Sequence, residues 1–457
     1  MPTSKTSRRR PGIVTALAGA VLVGTSLLGA VGCASPSATE PATEPAAGAA
    51  GTGSKWAVAW ATSAQRPVAG NDDLGPNWSQ QGFADQTLRQ VVRVSTGGSQ
   101  VRIRLSNVYG SSPVRVAGAT VGLPGTANPS RPGLANGANA QVWPDTMRTL
   151  TFAGAPATVI PAGQELVSDP VPLPTTPLEK LAVTLRFTDP TGPATFHRMG
   201  LATSYRAVGD HLQDSGGDAY TESTESTYYL TAVETSDPAL PQRNTVVAFG
   251  DSATDGVGST SGANSRYPDI LAERLAEAHR PTAVANAGIA GNRLLSDSPC
   301  YGEAALTRFQ RDVLSRPGVR TVVIELGGND LLGGYLTSPE PCFPPDGQIS
   351  AQRMIEGYRE LIRAAHTRGI KAVGATIIPL RGFPMPYDQD AADEVRTEVN
   401  QWIRTGGEFD SVIDFDRVMA DPARQGLPRP GYVYDDSLHP TDTGYHAITN
   451  SIDLDQL

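Results

Sequence analysis

The chain has 457 residues, enough for two ordinary domains, and its 39% hydrophobic and 18% charged residues are the balance of a globular protein rather than a disordered one. The formal net charge is −9 and no basic stripe runs along the sequence, which argues against a nucleic-acid partner. There is no His-Glu-x-x-His and no paired Cys-x-x-Cys, so no metal and no cofactor is expected.

In chain order, the first segment reads as targeting rather than fold. Ser7-Arg8-Arg9-Arg10 is a charged start, residues 13–31 are an apolar run of Ala, Val, Leu and Gly, and small residues follow at Ala30-Val31-Gly32-Cys33. The pattern resembles a bacterial lipoprotein signal, in which the cysteine becomes the lipidated first residue. Ala30 stands where such signals usually carry leucine. The paired arginines also hint at twin-arginine export, and a permanent membrane anchor is the alternative reading. Residues 1–32 are therefore expected to be a signal peptide and Cys33 a lipidation site, on a protein that is exported to the cell surface or secreted. Removing 1–32 takes away Lys5, Arg8, Arg9 and Arg10 and no acid, which leaves 33 basic against 46 acidic residues, a net −13. Such a chain should not cling to anionic surfaces. Contact with a membrane would then come only through the lipid anchor, and the oligomeric state is not legible.

Residues 33–54 have almost no large apolar side chain and read as a flexible linker. Residues 55–238 look all-β. Val101, Ile103 and Leu105 alternate with Arg102 and Arg104, the period of a strand with one wet face. Val92 and Val94 alternate ahead of Thr96-Gly97-Gly98-Ser99, so the two runs are expected to form a hairpin. Residues 181–187, LAVTLRF, make another strand. Short strands between turns predict a β-sandwich, jelly-roll-like in type.

From 239 to 457 the pattern changes to alternating β and α. TVVAF (245–249), TAVANA (282–287), TVVIEL (321–326), KAVGATII (371–378) and SVIDF (411–415) are short apolar strands. Between them lie amphipathic stretches: Ile270, Leu271 and Leu275 share one face, then Met354, Ile355, Leu361 and Ile362, then Val395, Val399, Trp402 and Ile403. Strands alternating with helices imply a parallel sheet, whose ligand sites lie at the carboxyl ends of the strands.

Four strand ends carry polar or glycine-rich loops. They are Gly250-Asp251-Ser252, the stretch 286–292 (NAGIAGN), Gly327-Gly328-Asn329-Asp330, and 435–440 (DDSLHP) near the C-terminus. Together they hold what acyl transfer needs. Ser252 can project a hydroxyl into a cleft, His439 can act as its base, and Asp436 lies three residues upstream, within reach of His439 if the segment makes one helical turn. The backbone N–H groups of Ser252 and Gly291 and the Asn329 side-chain amide can hold a developing oxyanion.

These four blocks, in this order and spacing, resemble those of the SGNH, or GDSL-type, hydrolases, over about residues 243–457. The resemblance implies a three-layer α/β/α domain of flavodoxin-like type. It implies Ser252 as nucleophile, Asp436 and His439 as its triad partners, and Ser252, Gly291 and Asn329 as the oxyanion hole. Ala253 departs from the family's frequent leucine, at a position that packs rather than reacts. The family spacing Asp-x-x-His selects Asp436 over Asp435. The β-region looks like a domain that accompanies some exported members, and the resemblance assigns it no catalytic role.

Competing readings fall on sequence grounds. Gly256-Val257-Gly258-Ser259-Thr260-Ser261-Gly262 is one residue too long for a dinucleotide fingerprint, and no Gly-x-Ser-x-Gly of an α/β-hydrolase occurs. His197, His211, His279, His366 and His446 are scattered; His279 and His366 fall near helix C-termini, where a cation suits the dipole, and His446 competes with His439 for the base. With Cys33 in the signal, Cys300 and Cys342 remain. In an exported chain they point to one disulfide, two buried free thiols being the alternative. The expectation is an exported serine esterase acting on short-chain acyl or O-acetyl esters, with a small-molecule, lipid or carbohydrate ester as substrate. The alternatives are a lipase or lysophospholipase of the same mechanism and a non-catalytic surface polysaccharide-binding protein.

Overall fold

The computed structural model describes residues 55–70, 76–125, 140–239, 244–343, 347–424 and 426–457. The expected signal peptide, Cys33 and the linker 33–54 lie outside the described residues. Residues Ala50–Leu457 form one compact unit.

The first half is antiparallel. One sheet runs in the order Trp56–Ala61, Leu230–Ser236, Gly98–Ser106, Glu165–Val167, and Val171–Thr175 also pairs with Gly98–Ser106. The other runs Glu222–Thr224, Ser204–Val208, Gln86–Arg93, Lys180–Phe187, Gly118–Gly122, Arg148–Leu150. Apolar residues from both sheets meet in one core: Val101, Ile103, Leu105 and Val233 from the first, Leu88, Val92, Val183, Leu185 and Val121 from the second. That is a β-sandwich.

The expected hairpin is not there. Gln86–Arg93 and Gly98–Ser106 lie in opposite sheets, and the turn between them arches across the sandwich. Both strands alternate apolar and polar residues, and their apolar faces satisfy each other face to face rather than side by side. Periodicity shows that a face is apolar without showing what it packs on. The glycines allow the arch to pass close to its neighbours. A Cβ on Gly97 would sit 2.2 Å from the Thr175 carbonyl oxygen, and one on Gly98 2.7 Å from that of Ser236.

The face expected to be wet is also covered. Arg102 and Arg104 converge on Glu234, whose side chain is fully buried, through Nε–Oε2 at 2.6 Å and Nη2–Oε1 at 2.9 Å. The next layer is the second half of the chain. Val58, Ala61 and Ala232 share one core with Val246 and Val284. The backbone of each half is bonded by the other: Val58 N–H donates to Thr245 Oγ1 (3.1 Å), and Val284 N–H donates to Ser95 Oγ (2.9 Å).

The second half holds five parallel strands: Asn244–Gly250, Thr282–Gly288, Val319–Glu325, Lys371–Ala375 and Ser411–Ile413. Their spatial order is 2-1-3-4-5, the flavodoxin-like order. The connecting helices are α1 (Ser252–Asp255), α2 (Tyr267–Glu277), α3 (Ala305–Phe309), α4 (Gly328–Gly334), α5 (Ala351–His366), α6 (Gln389–Thr405), α7 (Phe415–Met419) and α8 (Asp442–Asn450). Helix α8 packs on α2 and α7, whereas α5 and α6 pack on each other, α3 on α5 and α4 on α6, giving a helical layer on each side of the sheet. The helix faces follow the sequence periodicity: Ile270, Leu271, Leu275, Met354, Ile355, Leu361, Ile362, Val399 and Ile403 are buried. Ser350 and Asp388 cap α5 and α6 by accepting the N–H groups of Arg353 and Ala391. Among the described residues no helix is long and apolar enough to cross a membrane.

Candidate active site

In a 2-1-3-4-5 sheet the strand order reverses at strand 1, between strands 2 and 3, and the crevice there opens at the carboxyl ends. Ser252 follows strand 1, Gly291 follows strand 2 and Asn329 follows strand 3. His439 arrives just before α8.

Strand 1 turns sharply into α1. Asp251 is the N-cap, its Oδ1 accepting the Ala253 N–H at 3.1 Å, so Ser252 is the first helical residue. Its N–H has no acceptor inside the helix. Gly250 makes the tight turn possible, since a Cβ there would lie 1.9 Å from Thr254 Oγ1 and 2.5 Å from the Glu325 carbonyl oxygen. Gly256, in the left-handed region at φ 109°, ends the single turn.

The Ser252 hydroxyl meets His439 Nε2 at 3.1 Å, and His439 Nδ1 meets Asp436 Oδ2 at 2.6 Å. A carboxylate only accepts, so Nδ1 carries the hydrogen and Nε2 presents a lone pair to the serine. The other oxygen, Asp436 Oδ1, accepts the N–H groups of Leu438 and His439, each at 3.0 Å. Burial raises the Asp436 carboxyl, but the bond from His439 and these N–H groups outweigh it and hold the group below the ordinary carboxylate range. Asp436 and His439 are not joined by a helical turn, as the spacing allowed. Ser437 between them takes φ 59°, and this tight turn is closed by Tyr434 N–H donating to the His439 carbonyl (3.0 Å). The edge of Phe383 stands against the His439 ring, centroids 6.1 Å apart.

Gly291 takes φ 77°, and a Cβ on it would lie 2.4 Å from Tyr301 Cγ, so backbone and packing each demand glycine. Asn329, only 8% exposed, donates from Nδ2 to Asp251 Oδ2 (3.2 Å) and to the Asn292 carbonyl (3.1 Å). The structure thus joins Ser252, His439 and Asp436 by hydrogen bonds, with Asn329 bonded to Asp251 beside the serine and Gly291 on the loop next to Asn292. His446 is on α8, and His279, His366 and His211 lie outside this set; His366 pairs with Asp410 (2.8 Å) at the end of α5.

Several polar groups here have no counterpart in the sequence reading. Asp251 and Glu325 form a buried carboxyl pair under the serine turn. Burial and the charge of Glu325 raise Asp251 well above the usual carboxylate range, and burial raises Glu325 as well. Glu325 Oε2 accepts from Thr254 Oγ1 at 2.9 Å. Asp330 ties the glycine loop to α4 by accepting the N–H groups of Leu294 (2.7 Å) and Leu295 (3.0 Å). Burial pushes it up to about 6 against those bonds and the charge of Arg293. Arg308, fully buried, donates to the carbonyls of Gly250 (2.9 Å) and Ala287 (2.7 Å) and to Asn292 Oδ1 (2.9 Å). Of these, Asp251 and Asp330 stand in loops that the sequence picks out, next to Ser252 and Asn329, but without a role assigned to either. Cys300 and Cys342 are disulfide-bonded, Cα atoms 5.3 Å apart. Ser298 Oγ also donates to the Cys342 carbonyl (2.7 Å).

A serine, a histidine and an aspartate bonded in series at the strand ends of a flavodoxin-order α/β/α domain form an arrangement able to carry out acyl transfer. Residues 248–447 match the family model described as GDSL-like Lipase/Acylhydrolase. The chain is also similar to solved structures. One is a lipase/acylhydrolase from Enterococcus faecalis, 21% identical, covering 46% of this chain and 92% of that one, TM-score 0.35. A second is a GDSL-like lipase from Bacteroides thetaiotaomicron, 17% identical, covering 47% and 87%, TM-score 0.34. A third is a psychrotrophic esterase from Pseudoalteromonas, 18% identical, covering 46% and 93%, TM-score 0.32. No curated protein matches.

Proposed function

We propose that the chain is an exported serine esterase that cleaves short acyl or O-acetyl esters. The observation that carries this reading is the unbroken path Ser252 Oγ–His439 Nε2, His439 Nδ1–Asp436 Oδ2. Ser252 attacks the ester carbonyl while His439 takes its proton. Asp436 holds the imidazole in the tautomer that can accept it and steadies the imidazolium that forms. The N–H groups of Ser252 and Gly291 and the Asn329 amide hold the oxyanion, the amide giving up its long bond to Asp251. His439 then protonates the leaving alcohol. A water, deprotonated by the same imidazole, releases the acid and restores Ser252.

Two features favour a short acyl group: Ser252 and Asn329 are each only 8% exposed, and the Phe383 ring stands against His439. Ser252→Ala should remove turnover of p-nitrophenyl acetate and labelling by a fluorophosphonate probe. Undiminished turnover by the folded variant refutes the assignment. A series of p-nitrophenyl esters of rising chain length should show kcat/KM falling beyond short acyl groups. A rise toward long chains would favour a lipase. Export rests on the sequence of residues 1–33 alone.

A further inference from the structure

The resemblance to SGNH hydrolases gives the β-region no catalytic role. Its His197, on the short strand Phe196–His197, is nevertheless 3% exposed and reaches into the wall of the candidate active site. His197 Nδ1 lies 2.9 Å from the Ser63 carbonyl, so Nδ1 bears a hydrogen. Nε2 lies 3.0 Å from Asp255 Oδ1, and Asp255 is itself 1% exposed. A hydrogen must lie on that contact too, because two facing lone pairs in a buried site repel. Asp255 is the last residue of the helical turn that Ser252 opens. Its second oxygen accepts the Ala290 N–H at 2.8 Å, one residue before Gly291. One buried pair therefore links the serine turn to the loop that presents the Gly291 N–H.

A second path starts from the same place in the β-region. Ser63 Oγ takes a bond from Arg308 Nη1 (3.1 Å). Arg308 holds Asn292 Oδ1, and the Asn292 carbonyl holds the Asn329 amide. The first path ends one residue before the Gly291 N–H, and the second ends on the Asn329 amide.

We propose that His197 is a positioning residue for the oxyanion hole, and that the β-region is thereby part of the catalytic apparatus. Resting on the reading of Ser252 as nucleophile, the proposal is that His197 acts through Asp255 on the Ile289–Ala290 peptide, the neighbour of the peptide that carries the Gly291 N–H. Without the His197 hydrogen, Asp255 is a buried carboxylate with one partner fewer, and the peptide it holds is released.

Two substitutions separate this from mere docking of the β-region. His197→Asn keeps a donor where Nδ1 stands and loses the bond to Asp255. His197→Gln places a donor where Nε2 stands. His197→Asn should lower kcat on p-nitrophenyl acetate by about 10–100-fold with KM changed less than threefold, a fraction of what losing a whole oxyanion donor costs. His197→Gln should rescue most of that loss. The proposal is overturned if kcat of folded His197→Asn stays within threefold of the parent, if only KM moves, or if Gln is as damaged as Asn. Should His197→Asn fail to fold, Asp255→Asn tests the same link, since it retains an acceptor for Ala290 and a donor for a neutral His197. It should keep kcat within about threefold while Asp255→Ala loses tenfold or more, and equal losses overturn the proposal. Turnover that survives Ser252→Ala would instead remove the esterase reading itself, so the two failures are distinct.

Discussion

Asp436→Asn replaces one oxygen by an amide nitrogen and leaves the shape unchanged. The structure shows why no orientation of the new side chain works. Asp436 accepts three hydrogens: His439 Nδ1–H on Oδ2, and the Leu438 and His439 N–H groups on Oδ1. If the amide oxygen faces the backbone, its NH2 faces Nδ1. The imidazole must then carry its hydrogen on Nε2, which can no longer accept from Ser252. If the oxygen faces Nδ1, the NH2 opposes two N–H donors in a half-buried turn, at a cost of about 1–3 kcal/mol in stability. The first orientation keeps the fold and forfeits the base. Loss of the correct tautomer costs about 10⁴ in kcat in a serine triad, which at 1.36 kcal/mol per decade is about 5 kcal/mol of transition-state stabilisation. The loss should fall on kcat, because Asp436 acts through His439. The assay is steady-state hydrolysis of p-nitrophenyl acetate by protein checked for folding by circular dichroism. A kcat within tenfold of the parent would refute the role given to Asp436.

The other predictions concern the loops around that site. Gly291→Ala should lower kcat by about 10² and Tm by several degrees, since the alanine must adopt φ 77° and also displaces Tyr301; an unchanged kcat would detach Gly291 from the chemistry. Asp330, at about 6 in the folded state against about 3.9 unfolded, binds more protons folded than unfolded between those values. Stability therefore falls as pH rises from about 4 to 6, by an amount on the order of 2–3 kcal/mol, and levels off above. Urea unfolding of Asp330→Ala across this range should lack that part of the slope, and an identical slope would refute the assignment. Opening the Cys300–Cys342 bridge by Cys300→Ser with Cys342→Ser frees a loop of sequence separation 42 and should lower stability by about 4 kcal/mol on loop entropy, measured by the same unfolding. Cys33→Ser should move the protein from the membrane fraction to the soluble exported fraction; membrane association that persists would refute lipidation.

The parallel sheet was legible because its strands are uniformly apolar and its helices carry clean stripes; each is a local pattern. The four loops were legible because a serine, glycine, asparagine and histidine stand where such runs end. What was not legible depends on distant partners. The hairpin reading of residues 92–105 failed because alternation marks an apolar face without naming the surface that covers it. Arg102 and Arg104 looked wet because an arginine reads as solvated until a buried Glu234 is placed beside it. Arg308 and His197 carry no local signal, for their roles come from Ser63, Asn292 and Asp255, which lie far away in sequence.

That pattern has a physical cause. The chemistry of ester cleavage dictates which groups must touch the substrate, and each sits on a loop whose own sequence announces it. Holding those groups still is a different demand. It needs buried hydrogen bonds to whatever backbone lies behind the loops, and any fold that supplies donors and acceptors there will serve. In this chain the supply comes from the β-sandwich as well as the α/β layers. Thr245 and Ser95 bond backbone across the junction, and Ser63 and His197 extend the same junction to the site. A β-region docked by apolar contact alone would need only Val58, Ala61 and Ala232 against Val246 and Val284. The buried polar bonds add a fixed geometry to that docking, because each is costly to leave unmade and so tolerates little displacement. Rigidity at the junction is thus passed on to the Ile289–Ala290 peptide, next to the Gly291 N–H that holds the oxyanion in the proposed mechanism.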